Sequence, residues 1–201
     1  MTTKRFSDLF FALFALLLLA PFLGLLAAII ALNSRGGVLY RQIRIGKNGL
    51  PFAIFKFRTM YADADKRGLL TVGDRDPRVT PVGFYLRKYK IDELPQLLNV
   101  LLGEMSLVGP RPEVQRYTDL YTAEQRKVLT VKPGITDYAS IEYADESELL
   151  AKANDPEKTY IEEIMPAKLA LNRRYIAEQG VLTDIKILAL TVLKIVGKGG
   201  K

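Results

Sequence analysis

The stretch Leu9–Leu32, LFFALFALLLLAPFLGLLAAIIAL, contains no charged residue and constrains this chain more than any other. A hydrocarbon core about 30 Å thick is crossed by about 20 apolar residues in a helix, so the run is long enough to enter a bilayer. It exceeds the roughly 7–15 apolar residues of a cleaved signal peptide. A spanning helix is one reading. A re-entrant helix, which dips in and returns, is the other. Pro21 and Gly24 sit near the middle, and proline removes a backbone donor and kinks helices. Lys4 and Arg5 precede the run, while Arg35, Arg41, Arg44 and Lys47 follow it. Lys and Arg mark the cytoplasmic side, so two basic flanks suit a segment that leaves by the side it entered. Spanning helices tolerate proline too, and from these residues alone both readings stand.

The rest of the chain is chemically restricted. Its 201 residues include no His, no Cys and no Trp. That excludes a Ser-His-Asp triad, a Cys nucleophile, disulfides and the usual zinc sites. Catalysis would fall to carboxylates, Lys, Arg, Tyr or hydroxyls, with a hard metal held by oxygen where one is needed. The net charge of +7 points to an anionic partner. After Asp8 the next acidic residue is Asp63, so the segment leaving the apolar run is purely cationic. Anionic lipid head groups are the plain explanation. Nucleic acid is not expected, because the basic residues flank a membrane segment.

That cationic segment reads as a β-hairpin. VLYRQIRI and PFAIFKF are rich in β-branched and aromatic residues, and GKNG between them carries the Asn-Gly turn signal. Alternation puts Phe52, Ile54, Lys56 and Arg58 on one face, if the strand reaches that far. The two cations at its end are either a solvated strand end or an anion clamp. Next comes a helix opened by Thr80 as N-cap and Pro81 at the first helical position, with Arg87 in its last turns. KIDELPQLLNVL follows. Pro95 predicts a second helix beginning near Leu94, which leaves Asp92 or Glu93 at its cap. Capping is the plain reading of that pair. A helix start also gathers phosphate, and a carboxylate beside bound phosphate is what covalent phosphoryl transfer requires. Finally, SLVGPRPE sets Arg111 between Pro110 and Pro112, a rigid mount suited to bidentate phosphate binding.

Together KFRTM (56–60), DPRVTPVGFYLRK (76–88), IDELPQLLNVLLGEMSLVGPRPE (91–113) and VKPGIT (131–136) resemble the bacterial sugar transferases, the monotopic phosphoglycosyl transferases. The match in order and spacing covers most of the chain. The resemblance implies a mixed α/β fold, with a small hairpin or sheet surrounded by helices. It implies a re-entrant membrane helix over 1–34, broken at Pro21, and a membrane-associated catalytic domain over 35–201 on the cytoplasmic face of the bacterial inner membrane. The implied reaction moves a phosphosugar from a UDP-sugar to polyprenol (undecaprenyl) phosphate and releases UMP. By position Asp92 resembles the family's nucleophile and Glu93 its partner, with Mg2+ near Asp92 and Glu93. Lys56, Arg58, Arg87 and Arg111, with Pro110 and Pro112, fall where substrate phosphate would be held. Direct transfer in a ternary complex and a non-catalytic membrane scaffold are the alternatives. A homodimer is one assembly open to such a chain.

The sequence departs from the family in two places. Ala20-Pro21 stands where Ser-Pro is usual. Asp137-Tyr138 replaces Gly-Trp after PGIT, and Ala144 stands near an expected arginine. NDPEKTY (154–160) reads as a turn and a helix start. The tail from Thr183, a candidate cap, reads either as an interfacial amphipathic helix or as a core helix with a basic end.

Overall fold

In the computed structural model the apolar run is the centre of one long helix, α1 (Thr3–Asn33). The structure describes residues 3–33, 36–62, 64, 68, 70–73 and 76–198; Arg35 and Asp63 lie outside them. Helical backbone continues through Pro21, which corrects the expected break there. Proline costs the helix one hydrogen bond, and the apolar residues on both sides keep the remaining ladder.

The polar start of α1 is bound into the rest of the molecule. Lys4 Nζ donates to Val108 O at 3.2 Å and to Asp184 Oδ2 at 2.5 Å. Arg5 donates to the carbonyls of Val100 and Leu101 at 2.6 and 3.1 Å. Buried Asp8 accepts from Ser106 Oγ at 2.8 Å and Leu107 N at 3.2 Å. Ala12 then packs with Leu97, Val100 and Met105. At the far end, Ile30 packs with Phe57 and Leu86, flanked by Leu23 and Leu26. Both halves of α1 therefore lie against one body. Its other face carries exposed Phe10, Phe14, Leu17, Leu18, Leu25 and Leu32.

The expected hairpin forms from β1 (Leu39–Ile45) and β2 (Pro51–Phe57), paired antiparallel from Leu39–Phe57 to Ile45–Pro51. Asn48 and Gly49 take the positive φ values of 58° and 76° that the Asn-Gly signal implies. Phe52 and Ile54 enter the core, and the strand ends at Phe57, one residue before Arg58.

Helix α2 (Pro81–Lys88) starts as expected: Thr80 Oγ1 accepts from Gly83 N at 2.9 Å. Gly83 is required by close approach, since a Cβ there would lie 2.1 Å from Thr59 O. A 3-10 turn, Ile91–Glu93, leads to α3 (Gln96–Leu102). Neither Asp92 nor Glu93 caps α3, which corrects the capping expectation: the helix starts later, behind Pro95, with no side-chain cap. Fully buried Asn99 of α3 bonds the outer edge of β2, accepting from Phe55 N at 3.0 Å and donating to Ala53 O at 2.7 Å. An amide side chain here replaces the strand that would otherwise satisfy that edge.

A short parallel pair joins β3 (Ser106–Val108) to β4 (Gly134–Thr136), with the short α4 (Gln115–Thr118) between them in sequence. Helices α5 (Tyr138–Glu142), α6 (Glu146–Ala151) and α7 (Pro156–Thr159) follow, and Asp155 caps α7 as NDPEKTY suggested. The chain passes through a π-type turn into α8 (Met165–Glu178) and ends in α9 (Val181–Lys198). Thr183 lies inside α9 and donates to Glu178 O at 2.8 Å instead of capping it. Ile187 of α9 is buried while Leu182, Ile185, Val192, Leu193 and Val196 are exposed, so α9 is not a core helix. The fold is mixed α/β, as expected, with two small sheets among helices in the described residues.

Asn99→Leu should remove the partners of two strand-edge backbone groups at nearly constant volume. A loss of about 2–4 kcal/mol, one to two unmade buried bonds, is expected in chemical unfolding in detergent. An unchanged midpoint would contradict the bridging role.

Candidate active site

A cavity of about 740 Å³ opens between the end of β2, the 3-10 turn Ile91–Glu93, α5 and α9. Lys56, Arg58, Arg87, Asp92, Glu93 and Arg111 all line it. Six charged positions separated by up to 55 residues in sequence thus meet in one place. Pro110 and Pro112 do not line it; they face a small cleft behind Arg111 and serve as its mount.

Glu93 organises the floor. Lys56 Nζ donates to Oε1 at 3.0 Å, and Arg111 Nη1 donates to Oε2 at 3.0 Å. Arg111 Nη2 closes the bidentate pair on Oε1. Burial alone would push the Glu93 carboxyl up, but Arg111 and Lys56 outweigh it and hold it well below the usual range. Asp92 differs. Burial pushes its carboxyl up, and the Glu93 charge adds to that, against the pull of Lys56, Lys90 and Arg87. Its Oδ1 is buried and has no hydrogen-bond partner. Burial likewise lowers Lys56, with Glu93 opposing. Two adjacent carboxyls are therefore separated by environment: Glu93 is neutralised by cations, and Asp92 keeps a buried oxygen without a partner.

The backbone explains why the pair turns inward. Lys90 takes φ 56°, ψ 19°, which ends α2 and starts the 3-10 turn. Arg87 donates to Thr71 Oγ1 at 2.8 Å. Arg58 lies against Gly36, whose missing side chain leaves room for the guanidinium; a Cβ would sit 1.6 Å from Nη1. Arg111 is further fixed through its backbone, since its N–H donates to buried Asp137 Oδ2 at 3.3 Å. Asp137 also caps α5 by accepting from Ser140 N at 2.6 Å. The residues that depart from the family pattern thus have a local use: Asp137 anchors Arg111, and Ala144 lines the cavity.

Sequence reading missed a second ionic group on the cavity wall. Glu113 is bonded by Tyr160 Oη and lies 3.4 Å from Arg44 Nη1. Lys168 lies 2.7 Å from Glu146 and 4.0 Å from Glu113. Arg78, paired with Asp76, donates to the carbonyls of Gly68 and Leu70 at 2.7 and 2.6 Å and ties down the loop at the rim. Only the PRPE context of Glu113 and the DPR context of Arg78 carried any signal of this.

Among the described residues no group of three or more His, Cys, Asp or Glu converges on a metal site. The orphaned Asp92 oxygen suits Mg2+, which uses one or two carboxylates and completes its shell with waters and substrate phosphates. Both Glu93 oxygens are already engaged by cations, so Asp92 is the better ligand of the two.

The model of the family described as "Bacterial sugar transferase" matches residues 1–198. The chain is 38% identical over 195 residues to the UDP-glucose:undecaprenyl-phosphate glucose-1-phosphate transferase of Escherichia coli K12, covering 95% of this chain and 39% of that protein. It is 41% identical over 141 residues to the UDP-N-acetylgalactosamine-undecaprenyl-phosphate N-acetylgalactosaminephosphotransferase of Aeromonas hydrophila, covering 69% and 33%. It is 37% identical over 204 residues to the exopolysaccharide production protein PSS of Rhizobium leguminosarum bv. phaseoli, covering 98% and 96%. The chain therefore spans well under half of the first two relatives and nearly all of the third. With the family match running along almost the whole sequence, the chain belongs to the bacterial sugar transferase family.

Proposed function

We propose that this protein transfers a sugar 1-phosphate from a UDP-sugar to polyprenol phosphate at a membrane surface, through a covalent intermediate on Asp92. The observation that carries the reading is the buried, unpartnered Asp92 Oδ1 beside a Glu93 already neutralised by Lys56 and Arg111. An Asp92 carboxylate oxygen attacks the sugar-side phosphorus; the bond from that phosphorus to the bridging oxygen breaks, and UMP leaves with the electron pair. A phosphate oxygen of the polyprenol phosphate then attacks the same phosphorus, the aspartyl O–P bond breaks, and polyprenol diphosphate sugar is formed. Arg58 and Arg87 bind and orient the phosphates, while Lys56 and Arg111, held by Glu93, offer them only their remaining N–H groups. Asp92 would hold Mg2+, which when bound neutralises charge on the phosphoryl oxygens. A Glu93 engaged on both oxygens is a poor general base, which favours the covalent route over direct transfer. Two of the relatives named above are named for different sugars, glucose and N-acetylgalactosamine.

We also propose that α1 rests in one side of the membrane without crossing it, with the body on the cytoplasmic face. Support comes from Lys4, Arg5 and Asp8 at one end and Ile30 at the other, all tied to the same body. A helix of this length is about 45 Å long, and crossing would carry one end away from that body. The exposed apolar faces of α1 and α9 would meet lipid.

The test is UMP release from a panel of UDP-sugars with Mg2+ and undecaprenyl phosphate. Asp92→Asn should lower turnover by about three orders of magnitude or more. Because the fold already disfavours the charged form of Asp92, this variant should melt no lower than the parent. Retained turnover would remove Asp92 from the mechanism. Glu93→Gln should behave oppositely in stability, losing about 3 kcal/mol by leaving Lys56 and Arg111 uncompensated; an unchanged melting temperature would refute the clamp. A cysteine placed at Thr3 should react with membrane-impermeant maleimide only from the cytoplasmic side, and labelling from outside would refute the one-sided placement.

A further inference from the structure

Two non-glycine residues among those described have positive φ, Asn48 and Lys90. Asn48 sits in a hairpin turn, where asparagine is a standard choice. Lys90 has no such local reason. It follows α2, its N–H donates to Arg87 O at 3.1 Å, and its carbonyl accepts from Glu93 N at 3.3 Å. Glycine fills that role without strain, whereas an L side chain in the left-handed region is disfavoured. Backbone strain of this kind clusters at ligand-binding and active sites, where the surrounding structure holds it.

The surroundings indicate the use. Lys90 is exposed and lines the active cavity, two residues before Asp92. Six other cations lining the cavity are ion-paired: Lys56 and Arg111 to Glu93, Arg44 to Glu113, Arg78 to Asp76, Lys168 to Glu146 and Lys194 to Asp145. Among the described residues Lys90 makes no salt bridge, and its charge acts on Asp92 and Glu93 only through space. Lys88 and Arg87 line the same rim, which makes it cationic. A charged rim on a cavity with low-dielectric walls focuses its field on an entering anion.

We infer that Lys90 is a phosphate-binding residue at the cavity mouth, held there by its left-handed backbone and contacting a phosphate group of one of the two substrates. This rests on the proposed function for the identity of the ligands. The shared chemistry is a phosphate ester, which either the nucleotide or the lipid can supply.

The experiment is equilibrium binding of UDP and, separately, of undecaprenyl phosphate in detergent to the parent, Lys90→Gly, Lys90→Gln and Lys90→Arg, with melting temperatures for each. Lys90→Gly relieves the backbone and should melt no lower than the parent. It and Lys90→Gln should each bind one ligand about tenfold more weakly, the loss of one charge-assisted contact. Lys90→Arg should stay within about twofold of the parent. Weakening for UDP assigns the donor phosphate, and weakening for undecaprenyl phosphate assigns the acceptor. Unchanged binding of both ligands by Lys90→Gln overturns this inference while leaving the function intact. Lys90→Arg as weak as Lys90→Gln also overturns it. A parent protein that binds neither ligand overturns the functional reading together with this one.

Discussion

The bonds from Lys56 and Arg111 to Glu93 hold the site together. They join the end of the hairpin, the turn after α2 and the Pro-Arg-Pro loop, which are far apart in sequence. A buried carboxylate is tolerated only when it is paired and hydrogen-bonded, and Glu93 meets that condition on both oxygens. Its neighbour then bears the consequence. Asp92 is equally buried, lacks a partner for Oδ1 and feels the Glu93 charge. One carboxylate organises the floor and the other keeps an unpartnered buried oxygen. The same arrangement fixes Arg111, whose guanidinium is occupied by Glu93, whose backbone is tied to Asp137 and whose neighbours are two prolines.

The chain solves a second problem with the same economy of contacts. A helix as apolar as α1 would ordinarily be read apart from the folded body. Here its charged first turns are bonding partners for α3, β3 and α9, and Ala12 is small enough to let α3 approach. Asp8, the last charge before the apolar run, is buried against Ser106 and Leu107 rather than facing lipid or water. Helix α1 and the folded body are thus mechanically continuous. The cavity is bounded partly by α9, whose exposed Val192 is part of its lining.

Local chemistry was legible in the sequence. Asn48-Gly49 gave the hairpin turn and Thr80-Pro81 the start of α2. The charged site residues were legible as a group because each stands in a motif of unusual composition. What was not legible depends on partners distant in the chain. Asp92 and Glu93 resemble helix caps until Lys56 and Arg111 claim Glu93. Asn99 and Asp8 look like ordinary helix residues, and only their contacts with β2 and β3 reveal them. Glu113, Lys168, Glu146 and Tyr160 form a network with no local spacing signature. Pro21 carried a true local tendency, but the apolar helix around it continues.

The central claim is that Asp92 forms a bond to phosphorus, and intact-protein mass measures that bond directly. The protein would be incubated with a panel of UDP-sugars and Mg2+ in the absence of lipid acceptor, then quenched rapidly in acid. The account predicts a gain equal to one phosphosugar with a usable donor, absent in Asp92→Asn and discharged when undecaprenyl phosphate is added before the quench. A protein that turns over with both substrates yet shows no gain at any quench time, or keeps its gain in Asp92→Asn, would contradict it.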